Sequence, residues 1–320
     1  MKVGTVAAMW RYPVKSMGGE MVASSVVDRR ALHADRMWAV RDLELDAVTT
    51  ARRLPALLGC TARFIDEPPA GVGPGDVADV IVTFPDGAQV PSTDREAMDA
   101  RLSELAGKRV ALVPLPPLQD KAAYRGVLTS KKDIRRQFGI ADDESLPDFS
   151  MFPLRKLAEL AIYATPVGIF ADAYALHIVT TSSLRTMAAH GGDFDVRRFR
   201  PNIVVDSHLD GLVEQQWIGG TVHAGEVSAR VEIPTIRCTI PLREQAGVSA
   251  DPAVVRTVSR HGDRCFGVYA DIASTGTLRV GDTVELDPPR TQGALAASFA
   301  RMTGRVKRNA VRTGNRMLPS

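Results

Sequence analysis

The chain has 320 residues and a formal net charge of +3, long enough for two domains that each bury a core of their own. Its three cysteines, Cys60, Cys238 and Cys265, are too few and too scattered for a disulfide framework, and no C-x-x-C pair offers a zinc or iron–sulfur site. No window approaches the roughly 18 apolar residues of a membrane span, and the opening "MKVGTVAAMWRYPVKS" lacks the apolar core of a signal peptide, so a reduced, cytoplasmic protein is expected.

From Val3 to about Leu115, short β-rich runs alternate with turn signals: "VGTVAAMW", "EMVASSVVD", "MWAVRD", "ARFID", "DVIVTF" and "RVALVPL" are separated by "MGGE", "PPAGVGPGD" and "FPDGAQ". One helix is expected in this unit, over "TDREAMDARLSELAG", where Met98, Leu102 and Leu105 recur at helical spacing behind a Ser-Thr-Asp start. Residues 116 to 165 are rich in proline and charge with one or two helical patches, and read as a connecting segment that orders over a site.

The strand pattern returns with "ALHIVTT", followed by a helix "SSLRTMAAHG" for which Ser182 or Ser183 is the expected cap. After it come "RFRPNIVVDS", "WIGGTVHAGE", "VSARVEIPTIRCTI", a helical "DPAVVRTVSRHG", "CFGVYADIAS" and "GTLRVGDTVEL". Short strands at short intervals with Gly-rich turns predict a closed or nearly closed barrel. The fold class is mainly β with some α: two β-barrel-like units, divided as 1–115, a connector 116–165, a second unit 166–289 and a tail 290–320. No repeat is present, and no GxGxxG or P-loop suggests a nucleotide fold.

The charge is unevenly placed. Residues 290 to 320 hold seven Lys and Arg and no acid, leaving 33 basic against 37 acidic residues before them. Leu295, Phe299, Met302, Val306 and Ala310 follow helical spacing, while Arg301, Arg305, Arg308 and Arg312 recur along another face, interrupted by Gly304. Such a tail is either a solvated terminus or a basic amphipathic helix that docks an acidic partner or an anionic membrane surface. It is not the basic core of a nucleic-acid-binding protein.

Three stretches carry candidate chemistry. In "VEIPTIRCTIPLREQ", Cys238 is either inert packing, the usual fate of a free cysteine, or a thiolate favoured by the adjacent Arg237 and available as nucleophile or soft metal ligand. Cys60 in "LLGCTARF" reads as core, and Cys265 follows the charged turn "HGDR". In "RYPVKSMGGE", Lys15 and Ser16 sit at a turn ahead of two glycines, which is a surface turn or an oxyanion cradle. In "RFRPNIVVD", Arg200 and Asn202 hold a guanidinium fork and an amide at the start of a strand.

"YPVKS", "RFRPNIVV", "TIRCTI" and the closing "FGVYADIASTGTLRVGDTVEL" occur in the order and approximate spacing seen in MOSC domain proteins with an N-terminal MOSC β-barrel, and the chain resembles that family from residue 1 to about 287. The resemblance extends to the mitochondrial amidoxime-reducing component and its bacterial relatives. It implies a molybdenum cofactor (molybdopterin) held between the domains of a reductase of N-hydroxylated compounds. On that resemblance Cys238 matches the molybdenum ligand, and Lys15, Ser16, Arg36, Arg200 and Asn202 match cofactor contacts. Arg237 stands beside the ligand, and Ser182 and Ser183 match a Ser-rich contact stretch more loosely. Many relatives have a cysteine three positions before the ligand, where this chain has Thr235. No appended ferredoxin-type domain is present, so the resemblance implies electrons from a separate protein. A sulfur-handling or cofactor-carrier role for Cys238 is the alternative from another functional class.

Overall fold

The computed structural model describes residues 1–127, 130–144, 146–163 and 165–289. In chain order the strands are β1 Lys2–Arg11, β2 Glu20–Met21, β3 Ser24–Val27, β4 Trp38–Asp42, β5 Ala47–Val48, β6 Thr61–Phe64, β7 Val80–Thr83, β8 Gln89–Pro91 and β9 Val110–Pro114. They continue as β10 Leu176–Thr180, β11 Ile203–Asp206, β12 Thr221–Ala224, β13 Val227–Ile236, β14 Cys265–Ser274, β15 Gly276–Arg279 and β16 Thr283–Asp287. The α-helices are α1 Arg95–Ala106, α2 Lys131–Phe138, α3 Leu154–Ile162, α4 Thr181–Ala188 and α5 Pro252–His261.

The C-terminal strands close a seven-stranded barrel in the order β11, β10, β14, β13, β12, β16, β1, with β1 pairing back onto β11. All its pairs are antiparallel except β10 with β11, and that pair is joined by the crossover helix α4, the connection a parallel pair needs. Apolar side chains such as Val6, Ile178, Val205, Val231, Val268 and Leu278 fill the barrel. Closure removes the exposed strand edges that an open sheet of this size would leave.

The first strand therefore belongs to the C-terminal barrel and not to the unit that follows it in sequence. Strand β3 also leaves that unit, pairing with β15. Alternation marks residues 2–11 as a strand but cannot say which sheet receives it. The receiving edge lies about 200 residues away, at Thr5 opposite Asp206 and Met9 opposite Ile203. Gly4 makes the approach possible, since a Cβ there would lie 2.1 Å from the Asp206 carbonyl oxygen.

The N-terminal unit is built from two three-stranded antiparallel sheets, β5-β4-β9 and β6-β7-β8. The segment after β1 bridges both, through Val14 beside Trp38 and Gly18 beside Thr61. Its core includes Val14, Met17, Val40, Leu57, Val80, Met98 and Leu102. The predicted helix is α1, with Asp94 accepting from Ala97 N and Gly107 in the left-handed conformation closing its C-terminus. "RYPVKSMGG" is thus the joint at which the chain passes from one core to the other.

The connector is more ordered than its composition suggests. It contains α2, opened by a Ser130–Asp133 capping box, and α3. Helix α4 is capped by Thr180, whose hydroxyl accepts from Ser183 N, so neither Ser182 nor Ser183 is its cap. The proposed amphipathic tail over 290–320 lies outside the described residues, and within them no helix is long and apolar enough to cross a membrane.

Candidate active site at the domain junction

A cavity of about 360 Å³ opens between the barrel, the N-terminal unit and the connector, a volume suited to a cofactor or small ligand. Lys15, Ser16, Arg36, Arg200, Asn202, Arg237 and Cys238 all border it. Ser182 and Ser183 do not. Their hydroxyls turn into the barrel wall, Ser182 donating to Gly211 O at 2.9 Å and Ser183 to the buried Glu214 at 2.5 Å. They belong to the first turn of α4, and the face they occupy packs inward.

The three cysteines separate cleanly. Cys60 and Cys265 are buried, and burial pushes their thiols up, to about 12 and about 11. Cys238 is partly exposed at the cavity, two residues beyond the end of β13. Its loop is fixed on both sides: Arg237 N donates to Arg264 O at 2.8 Å, and Thr239 N to Gln137 O at 2.9 Å. The thiol is presented by the rim of the strand and not from within it.

The arginine and asparagine of "RFRPN" lock the junction. Arg200 Nη1 donates to Met17 O, and its guanidinium lies 4.4 Å from the Tyr12 ring centroid. Arg36 stands 5.1 Å from the same ring, so two guanidinium groups share one buried tyrosine, whose hydroxyl donates to Pro201 O at 3.0 Å. Asn202 receives Arg36 Nη1 at 3.3 Å and donates Nδ2 to Asp35 at 3.0 Å. Asp35 also accepts from Arg36 and from Tyr12 N.

Sequence reasoning missed five residues of this arrangement: Tyr12, Arg52, Asp172, His177 and Tyr269. Lys15 Nζ donates to Asp172 Oδ1 at 2.7 Å and to Phe170 O at 3.0 Å, and Arg52 reaches the same carboxylate at 3.5 Å. His177 was detectable as the one ionisable residue in the apolar run "ALHIVTT". It sits between Arg200 O and Arg237 Nη1, each at 3.5 Å. Burial first, then Arg237, lowers its pKa to about 3, so it is a neutral imidazole. Gly267, at φ 77°, leaves room for it, as a Cβ there would lie 2.5 Å from Nε2.

Five cations (Lys15, Arg36, Arg52, Arg200 and Arg237) meet two carboxylates (Asp35 and Asp172) in and behind this wall. Asp172 is open to solvent on one side; the protein packed round its other side opposes the charge, yet Lys15 and then Arg52 outweigh that and hold the carboxyl well below its usual range. Burial lowers Arg200 to about 10. Two buried donors at the cavity, Arg200 Nη2 and Arg237 Nε, have no hydrogen-bond partner among the described residues, a costly state that an anionic or acceptor-rich ligand relieves. Three of the seven described non-glycine residues with positive φ are also here: Ser16 (72°), Arg36 (52°) and Arg200 (54°). Each costs about 1–3 kcal/mol, and such residues cluster where a site is preorganised.

Burial also lowers Lys15 from 10.5 to about 8, against the pull of Asp172. The ammonium is present below that pH and lost above it, so affinity for inorganic phosphate should fall by up to about tenfold per unit as pH rises past 8. Fold stability moves the other way between 8 and 10.5, because the unfolded chain still binds the proton that the folded one has released. Calorimetric titration across that range checks this; an equally steep fall in Lys15→Met would assign it to another group.

Comparisons with known proteins fit this organisation. Residues 167–285 match the MOSC domain, and residues 3–97 match the MOSC N-terminal beta barrel domain. Among solved structures, the YUAD protein from Bacillus subtilis is similar at 10% identity and a TM-score of 0.39, over 90% of this chain and 97% of that one. YiiM from Geobacillus stearothermophilus is similar at 20% identity and a TM-score of 0.29, over 38% and 57%. No curated protein matches the chain.

Proposed function

As the chain belongs to the MOSC domain proteins with an N-terminal MOSC β-barrel, a group associated with the molybdenum cofactor, we propose that the junction cavity holds that cofactor and serves the reduction of N-hydroxylated compounds. The observation that carries this reading is that the one cysteine opening on the cavity shares it with five cations, Lys15, Arg36, Arg52, Arg200 and Arg237, against the single carboxylate Asp172. A thiolate is a soft ligand suited to molybdenum, and the cations with their orphaned N–H groups suit the phosphate and acceptor edges of a molybdopterin.

Cys238 would hold the metal; Lys15, Arg36, Arg52 and Arg200 would hold the anionic end. When bound, the cofactor supplies the two-electron oxygen-transfer chemistry. The protein orients and charges the site. His177, kept neutral, carries its hydrogen on the nitrogen facing Arg200 O and accepts from Arg237 through the other. That fixes the guanidinium, which is also held by Arg237 Nη2 donating to Phe199 O at 3.1 Å. Reduction of N–OH to N–H consumes two electrons and two protons and releases water. Lys15 Nζ, lowered to about 8 by burial, is still protonated at neutral pH, as holding an anionic group requires. Tyr269, held up to about 12 by burial and then Asp172, stays a hydroxyl donor.

The test is metal and pterin analysis of the purified protein, with turnover of benzamidoxime using a reduced viologen dye. Near-stoichiometric molybdenum with turnover is expected. Molybdenum without turnover rejects the reductase, and sulfane sulfur without molybdenum transfers the chain to a sulfur-handling role. Electrons would come from a separate protein docked by the basic tail, so deleting residues 290–320 should slow turnover with a protein donor and spare the dye-driven reaction. Equal loss with both would place the tail's role at the cavity instead.

A further inference from the structure

The cavity is lined by two chemically different sets of residues. Beside the cations, every described residue that the connector turns to the cavity is apolar, among them Ile134, Phe138, Phe149, Phe152, Leu157 and Leu160. This is not the composition of the segment. Helix α2 reads KKDIRRQF, with five charged residues in eight, yet only Ile134 and Phe138 reach the cavity.

The rings form a continuous surface: Phe138 to Phe149 at 5.7 Å, Phe149 to Phe152 at 6.4 Å, Phe152 to Tyr174 at 6.3 Å and Tyr174 to Tyr269 at 5.6 Å. Helix α3 contributes Leu157 and Leu160 and buries none of its own residues. An amphipathic helix ordinarily covers its apolar stripe with protein; here Leu157 and Leu160 are covered only in part, packing on the cluster of Phe152 and Tyr174 while also lining the cavity. The wall is also tied to the thiol, since Gln137 O accepts from the residue after Cys238.

We infer that the connector wall is the specificity element of the site, selecting substrates with an uncharged aromatic or branched apolar body while their polar head faces Cys238. This rests on the reductase reading for the identity of the head. A pterin is ringed with hydrogen-bonding groups that the connector residues of this wall do not match, so the wall is assigned to substrate and the cationic set to cofactor.

The experiment compares acetamidoxime with benzamidoxime on the full-length holoprotein, by calorimetric binding and by dye-driven turnover. Replacing a methyl by a phenyl body in an apolar wall should tighten binding tenfold or more. Phe149→Ala and Leu160→Ser should each erase most of that preference and weaken acetamidoxime far less, with molybdenum content and melting temperature retained. Leu160 is half-buried, packing on the cluster of Phe152 and Tyr174 while it lines the cavity, so an unchanged melting temperature is the control that separates loss of the wall from loss of packing. Equal binding of the two compounds by the wild type, or an unchanged ratio in Leu160→Ser, overturns the inference. Preferential binding without turnover would keep the wall and reject the reductase; turnover without preference would do the reverse. Failure of both compounds to bind rejects both readings.

Discussion

Cys238→Ser should lose its molybdenum and more than about a hundredfold of its activity while keeping its melting temperature, whereas Cys265→Ser should keep both metal and activity. Oxygen is close to sulfur in shape but a poor ligand for a soft metal. Changes to residues that only support a ligand already cost 10–100-fold in affinity or activity, so removal of the ligand itself must cost at least as much. Because Cys238 is partly exposed and lies beyond the strand, its sulfur is not a packing element of either core. Cys265 is buried at the start of β14, opposite Ile236 of β13, and its thiol is pushed up to about 11, leaving it inert as a ligand at neutral pH. Metal retention by Cys238→Ser with loss from Cys265→Ser would invert the assignment.

The fold was legible where pattern is local. Helix α1, the barrel strands from "ALHIVTT" to "GTLRVGDTVEL" and helix α5 with its Asp251 cap all follow from periodicity and capping residues within a dozen positions. Strand β1 was legible as a strand but not as part of the second barrel, because its partners are fixed by pairing across the whole chain. Local pattern also misled at Ser182 and Ser183. Two serines opening a helix resemble caps, yet Thr180 one step earlier takes the role, and their hydroxyls satisfy Glu214 and Gly211 in the barrel wall.

The site shows the same division. Lys15, Ser16, Arg200, Asn202 and Cys238 stood out because each lies in an unusual short sequence. Arg52 and Asp172 lie in "TTARRLP" and "FADAY", which carry no signal, and they matter only because the fold lets Asp172 pair with both Lys15 and Arg52. Tyr12 was visible beside its proline, but its role as the ring shared by Arg36 and Arg200 depends on a contact between residues 188 positions apart. The apolar cavity wall was hidden for the opposite reason: Ile134 and Phe138 are buried among charges in the sequence and separated from them only by the turn of the helix.

Lys15→Met and Arg200→Ala should both strip cofactor, at least about tenfold each by loss of a charge-assisted contact, yet differ in what they do to the empty protein. The Lys15 side chain is only 4% exposed and pays for its burial with a pKa near 8, while its partner Asp172 leaves 53% of its side chain exposed. A methionine of similar length removes that penalty, and Asp172 keeps Arg52 and solvent, so apo stability should stay within about 1 kcal/mol of wild type. Arg200 instead ties the two units together through Met17 O and the Tyr12 ring. Losing a charged hydrogen bond of about 1.5–3 kcal/mol and a cation–π contact of about 0.5–2 kcal/mol outweighs the relief of a guanidinium whose pKa burial has lowered to about 10. A net loss of about 2 kcal/mol lowers the melting temperature by about 3 °C at this chain length. Alanine cannot recover the backbone cost either, because position 200 has φ 54° and any residue but glycine pays it. Apo-protein melts set beside molybdenum content decide the matter. A larger melting-point loss in Lys15→Met than in Arg200→Ala would make Lys15 the structural residue, and unchanged molybdenum in either variant would remove that residue from the anionic end of the site.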